Sequence, residues 1–238
     1  IMRAYAQYLR QLNLPFSKAY IASTLIKNPT LTAFLVSFFE KRFDPQNGGE
    51  EHCQDLIKEI QQNLSEVAHP DEDRILRAYL NAMQASLRTN FYQRTAEGKP
   101  KSYLSIKFNS RQIEELPLPK PMFEIFVSSP QFEGIHLRGG KVARGGIRWS
   151  DRQEDFRTEI LGLMKAQMVK NVVIVPVGSK GGFVVKTPKD NKSREEIQQE
   201  GIACYQTFIQ GLLDLTDNMV DSKIIKPQNT YCFDEDDS

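Results

Sequence analysis

Residues 150–185 read SDRQEDFRTEILGLMKAQMVKNVVIVPVGSKGGFVV. Ser150 with Gln153 three places on has the pattern of a capping box and predicts a helix running to about Lys170. Val172-Val173-Ile174-Val175 follows, a short β-branched run of the kind found in a strand buried on both faces. Gly181-Gly182-Phe183-Val184-Val185 predicts another strand after a tight turn. A helix set between two such strands places this region in the mixed α/β class.

Toward the C-terminus, Ser193 with Glu196 makes a second capping box and opens a long helix carrying Ile197, Phe208, Leu212 and Leu213. Toward the N-terminus, Leu104, Ile106 and Phe108 alternate with polar neighbours, as do Phe123, Ile125 and Val127, and residues 132–137 continue in the same manner. Before residue 99 the pattern is helical. Residues 15–27 and 29–43 carry apolar residues at helical spacing, with Leu31, Phe34, Leu35, Phe38 and Phe39 on one side. Asp44-Pro45-Gln46-Asn47-Gly48-Gly49 breaks the pattern, and a helix from about Glu50 to Val67 follows. Pro70, with Asp71, Glu72 and Asp73 in the first turn, starts another; its stripe of Ile75, Tyr79, Met83 and Leu87 predicts a helix ending near Phe91. The expected fold class is α+β to α/β. Residues 1–98 form a helical region, and residues 99–238 a mixed-sheet α/β substrate-binding domain incomplete at its C-terminus.

The chain has 238 residues, 31 Lys and Arg against 30 Asp and Glu, and a net charge of +1. That balance argues against a generally basic nucleic-acid binder. No apolar run reaches the ~18 residues that a membrane span needs. Cys53, Cys204 and Cys232 are scattered and odd in number, which fits reduced cytoplasmic thiols better than a disulfide framework or a metal site. The start at Ile1 and the acidic end suggest a piece of a longer chain.

The stretch His136-Leu137-Arg138-Gly139-Gly140-Lys141-Val142-Ala143-Arg144-Gly145-Gly146-Ile147-Arg148 holds four cations, no acid and two glycine pairs. Glycines let backbone amides approach a ligand and the cations attract it, so the stretch suits a carboxylate or a phosphate. Taken alone, a solvated basic loop reads equally well. Gln167 and Lys170, three apart on the predicted helix, can point at one spot as a carboxylate clamp; a surface pair is the default without the rest. Lys180 stands among glycines at the end of a predicted buried strand, where open α/β sheets place their sites. Neither a P-loop nor a dinucleotide fingerprint occurs in the chain. Trp149 and His136 read as core and strand residues, and Trp149 alone is too little aromatic surface for an RNA platform.

The run Arg144-Gly145-Gly146-Ile147-Arg148-Trp149, then Gln167-Met168-Val169-Lys170, then Pro176-Val177-Gly178-Ser179-Lys180-Gly181-Gly182 resembles the substrate domain of glutamate dehydrogenases. The longer string HLRGGKVARGGIRWSDRQEDFRTEILGLMKAQMVKNVVIVPVGSKGGFVV is similar to the large bacterial NAD-specific members in particular. The resemblance implies oxidative deamination of L-glutamate to 2-oxoglutarate and ammonia with NAD. It implies that Arg144 binds the side-chain carboxylate, that the backbone of Gly145 and Gly146 approaches the substrate, that Gln167 and Lys170 hold the α-carboxylate, and that Lys180 is the catalytic lysine. Crowding by Arg144 and Lys170 would favour a neutral Lys180 amine able to act as a base. The small hexameric enzymes differ in carrying Lys where this chain has Arg144, and in a lysine loop with one more glycine. The resemblance further implies that NAD binds mainly on a domain outside this chain. It implies that the family's catalytic Asp lies beyond Ser238, that the piece alone is inactive, and that the remainder of the parent chain and further copies in a homo-oligomer are its partners. Nucleic acid and membrane are not expected partners. The rival reading is a non-enzymatic anion-binding or subunit-assembly module.

Overall fold

Ser17, Pro29 and Pro70 open three of the helices that fill the first part of the chain. Ser17 Oγ accepts the Tyr20 amide at 3.1 Å and starts α2 (Lys18–Lys27). Proline occupies the first turn of α3 (Pro29–Phe43) and of α5 (Pro70–Ala85), where no amide is needed. A single 3₁₀ turn leads into α4 (Gln54–Ser65). The computed structural model describes residues 1–12, 14–141, 145–170, 178–188 and 190–235, and of residues 168–170 the backbone alone. A helix the sequence reading had not marked, α1 (Met2–Gln11), buries Ala4, Tyr5, Tyr8 and Leu9 along one side. No helix of the described residues is long and apolar enough to cross a membrane.

The expected helix to Phe91 stops at Ala85. Residues 86–89 become strand β1 (Ser86–Thr89), paired antiparallel with β2 (Leu104–Asn109) through a bulge between Ser86 and Arg88. Leu87 keeps the i+4 spacing of Ile75, Tyr79 and Met83, but ladder hydrogen bonds override that local preference. β3 (Phe123–Ser128) and β4 (Phe132–Arg138) continue the antiparallel meander. β6 (Ser179–Val185) pairs antiparallel with β4 and parallel with β5 (Ile147–Trp149), and the described sheet runs β1-β2-β3-β4-β6-β5. Helix α6 (Phe156–Lys170) lies between β5 and β6 in sequence, so the mixed α/β class is observed. The run Val172–Val175, expected as a strand, lies outside the described residues.

The predicted capping box at Ser150 and Gln153 does not form. The Ser150 amide donates to Phe183 O at 2.9 Å and the Gln153 carboxamide to Val185 O at 2.9 Å. Both are spent on β6, and α6 starts at Phe156 instead. The second box forms as read: Ser193 and Glu196 bond each other's amides at the start of α7 (Arg194–Leu213). A short hairpin of β7 (Asn218–Val220) and β8 (Lys223–Ile225) follows.

Strand alternation sorts two cores. Phe108, Phe126, Ile135, Leu137 and Val184 pack with α1, α3, α5 and α6. Ile125, Val127, Phe132, Phe183 and Val185 pack with Phe208 and Cys204 of α7 on the opposite face. Among the buried residues on the first face stands Glu124, which accepts hydrogen bonds from the Tyr8 hydroxyl of α1 and the Arg157 guanidinium of α6. Burial works against the Arg157 charge, and the Glu124 carboxylate more than offsets it, so the guanidinium is held above its ordinary pKa. Glu124→Ala would leave that cation buried without its partner. We expect a loss of about 3–5 kcal/mol, seen as a lower urea midpoint, with most of it regained in the double variant Glu124→Ala/Arg157→Met. An unchanged midpoint in the single variant would remove the pair from the account of stability.

Candidate active site

Lys180 is the second residue of β6, paired across the ladder with Leu137 and half-buried. Its amine lies over the glycines that precede β5: Lys180 Nζ is 3.6 Å from where a Cβ on Gly146 would sit. Gly145 has φ +137°, a conformation open to glycine, and a Cβ there would stand 1.9 Å from Ser179 O. Only a bare backbone can lie that close to the start of β6. From the other side, Gln167 of α6 packs over Gly178, its Cβ and Oε1 being 3.0 and 3.3 Å from the Cβ position of that glycine. Gln167 Oε1 and Ser179 Oγ are both buried and have no hydrogen-bond partner among the described residues. An orphaned carboxamide oxygen on the helix that covers Gly178, just before Lys180, marks a place where a polar ligand would complete the bonding.

Of the residues singled out in the sequence, Gly145 and Gly146 lie against the start of β6, Gly146 under Lys180, and Gln167 lies over Gly178, just before that strand. Arg144 lies outside the described residues. Lys170 ends α6, nearly one turn beyond Gln167, and its side chain also lies outside them. Ser179 is an addition; a lone serine in a glycine-rich run gives no signal until its hydroxyl is seen unpaired. Glu159 is a second addition. It pairs with Arg148 and accepts from Ser150 Oγ, tying the β5 segment to α6.

The aspartates near the chain end are engaged elsewhere. Asp214 bonds Lys101, Tyr103 and Asn90, and Asp217 bonds Arg88. Trp149, expected in the core, is 38% exposed, stacked on Phe183 with Gly201 against its ring.

The family pattern of the bacterial NAD-glutamate dehydrogenase catalytic domain matches residues 59–238. The chain belongs to this family. The glutamate dehydrogenase pattern called helical motif 3 matches residues 1–45, the part with α1, α2 and α3. The chain is 52% identical to the NAD-specific glutamate dehydrogenase of Halomonas elongata over 238 residues, which is 100% of this chain and 15% of that protein. It is 54% identical to that of Pseudomonas aeruginosa over 242 residues, again 100% of this chain and 15% of the relative. The Mycobacterium tuberculosis protein of the same name is 50% identical over 228 residues, 92% of this chain and 14% of the relative. The chain thus spans about 15% of the length of the relatives it matches.

In this catalytic-domain segment His136 of β4 backs Gly181, its cross-strand partner beside Lys180. Burial, with Arg138 adding its charge, pushes the imidazole pKa down to about 3. An unfolded chain takes up that proton near pH ~6.5, so between the two values the unfolded state binds more protons. The contribution is complete above the unfolded value and is lost as pH falls through the window. We expect about 2 kcal/mol less stability at pH 5 than at pH 7 from this residue. Unfolding midpoints at the two pH values should differ less in His136→Asn than in the native protein; an equal difference would rule the imidazole out.

Proposed function

We propose that this chain binds L-glutamate and supplies the proton-transferring lysine for NAD-linked oxidative deamination to 2-oxoglutarate and ammonia. The observation that carries the reading is the Lys180 amine over Gly146, with Gln167, its Oε1 unpartnered among the described residues, over Gly178 two residues earlier on the chain. Family membership supports it. The relatives' names say dehydrogenase, so the assembly-module reading is not favoured.

Glutamate carries two carboxylates and an ammonium. In the proposal Arg144 takes the side-chain carboxylate and Lys170 the α-carboxylate, both through charge-assisted hydrogen bonds. The Gln167 carboxamide, free to present either end, completes the α-carboxylate site. The backbone of Gly145 and Gly146 forms the floor. NAD, held mainly by a domain outside this chain, would supply the two-electron oxidant for the α-carbon once the substrate ammonium has lost one proton to solvent. Water adds to the iminium carbon that results, and Lys180 takes the proton released. The same proton returns to the substrate nitrogen, and as the carbon–nitrogen bond breaks Lys180 takes the hydroxyl proton, so ammonia leaves and the ketone forms. Further copies in a homo-oligomer and a cytoplasmic location complete the proposal. Free Cys53 and Cys204, buried and with thiols raised by that burial, support a reducing compartment.

The test is NAD-linked glutamate oxidation by the full-length protein. Lys180→Ala should lower kcat at least ~10²-fold, the low end for a general acid–base group. Near-native turnover would reject the role. Lys170→Ala should raise KM for glutamate with a smaller effect on kcat; a fall in kcat at unchanged KM would reject the clamp.

A further inference from the structure

At the end of the sheet opposite Lys180 lies an open cleft of about 790 Å³, a size typical of small-molecule sites. The β4–β6 register runs from Arg138 and Ser179 at the Lys180 end to Phe132 and Val185 at the cleft end. Six strand residues separate the two, or about 20 Å. The cleft gathers Arg3 and Arg10 from α1, Lys18 from the start of α2, Arg94 and Lys101 from the segment between β1 and β2, and Lys186 just past β6. Against these six cations the walls offer two carboxylates, Glu133 and Glu154.

The compensation is incomplete. Lys186 pairs with Glu133 at 3.4 Å, which also accepts from Gln11 at 3.0 Å, and Lys101 pairs with Asp214 at 2.5 Å. Arg3, Arg10, Lys18 and Arg94 form no ion pair among the described residues. Arg94 donates only to the carbonyls of Phe91 and Gln93. Gln11 leaves its Oε1 buried and unpartnered on the same wall. Burial, with Lys18 adding its charge, holds the Lys186 amine below its ordinary value. Like charges drawn from four parts of the chain onto one concave surface repel one another, and a concave wall focuses their field. A bound anion relieves that repulsion.

We propose that this cleft is a second binding site, separate from the glutamate site, for a small polyanion bearing several phosphate or carboxylate groups. Four cations without an ion pair among the described residues call for a ligand with more than one negative group. Neither glutamate turnover nor the lysine site enters the argument, so the two readings stand or fall apart.

The experiment is calorimetric titration of the full-length protein, saturated with NAD to fill nucleotide sites, with tripolyphosphate in one arm and citrate in the other. The comparison is with Arg3→Glu/Arg10→Glu/Lys18→Glu. Saturable binding in either arm, weakened at least tenfold in the triple variant, is the expected result, and the arm that binds names the anion class. Equal affinity in native and variant protein would overturn the proposal, since the anion then sits elsewhere. No saturable binding in either arm would also overturn it. If the triple variant then had a lowered Tm, the cleft would instead be filled by a neighbouring part of the protein.

Discussion

The site rests on how closely α6 can lie on β6. A Cβ on Gly182 would stand 2.3 Å from Ile160 Cδ1, inside any tolerable contact. With hydrogen there, the helix comes down onto the strand and Ile160 fills the space. The same seam recurs two turns along the helix, where Gln167 covers Gly178. Helix and strand run in opposite directions, as a crossover between parallel strands requires. Two glycines four residues apart thus set both the height and the register of α6, and with them the position of the Gln167 carboxamide relative to Lys180. A third close approach, Gly145 on Ser179, brings the segment before β5 against the same strand start.

Buried charge fixes what the glycines permit. Arg157 is one residue into α6, and its bond to Glu124 reaches the centre of the sheet, with Tyr8 of α1 on the same carboxylate. Apolar contacts tolerate sliding; a charged pair without water has one good geometry. A comparable arrangement holds the last described residues. Arg88 of β1 donates to Asp217 at 2.5 Å and Asp234 at 2.6 Å, and Lys107 of β2 to Asp234 at 2.5 Å. Phe233 beside them donates its amide to Leu87 O and lays its ring 3.8 Å from the Arg42 guanidinium of α3. The segment that leaves this region is therefore bonded to both the sheet and the helices.

Periodicity made most of this fold legible. Pro29, Pro70 and Ser193 sit where their local chemistry puts them, and the alternation in β2, β3 and β4 is visible residue by residue. The failures share one cause. Ser86–Thr89 extends a helical stripe but is taken by pairing with β2, and Ser150 with Gln153 matches a capping pattern but is taken by carbonyls of β6. In both places a long-range backbone partner outbid a local preference, which a linear pattern does not contain. Helix α1 was passed over because its inward side is built from Tyr5 and Tyr8, whose hydroxyls need Ser86 and Glu124 to be buried. At the site, glycine runs and lone cations were legible as residue types. The orphaned Ser179 hydroxyl and the Glu159–Arg148 tie were not, because each is a statement about what lies nearby in space.

The two ends of β6 show how the same residue type is put to different use. Lys186 has Glu133 across from it, and Gln11 holds the carboxylate in place. That pair works in favour of the charged amine, though burial outweighs it, and commits the amine to one partner. Lys180, six residues earlier in the chain, has no carboxylate partner among the described residues; its amine lies over the backbone of Gly146. A carboxylate paired to Lys180 would resist each loss of charge in the proposed proton transfer. The described residues pair none with it, so this end of β6 leaves the amine uncommitted where the other end commits one to Glu133.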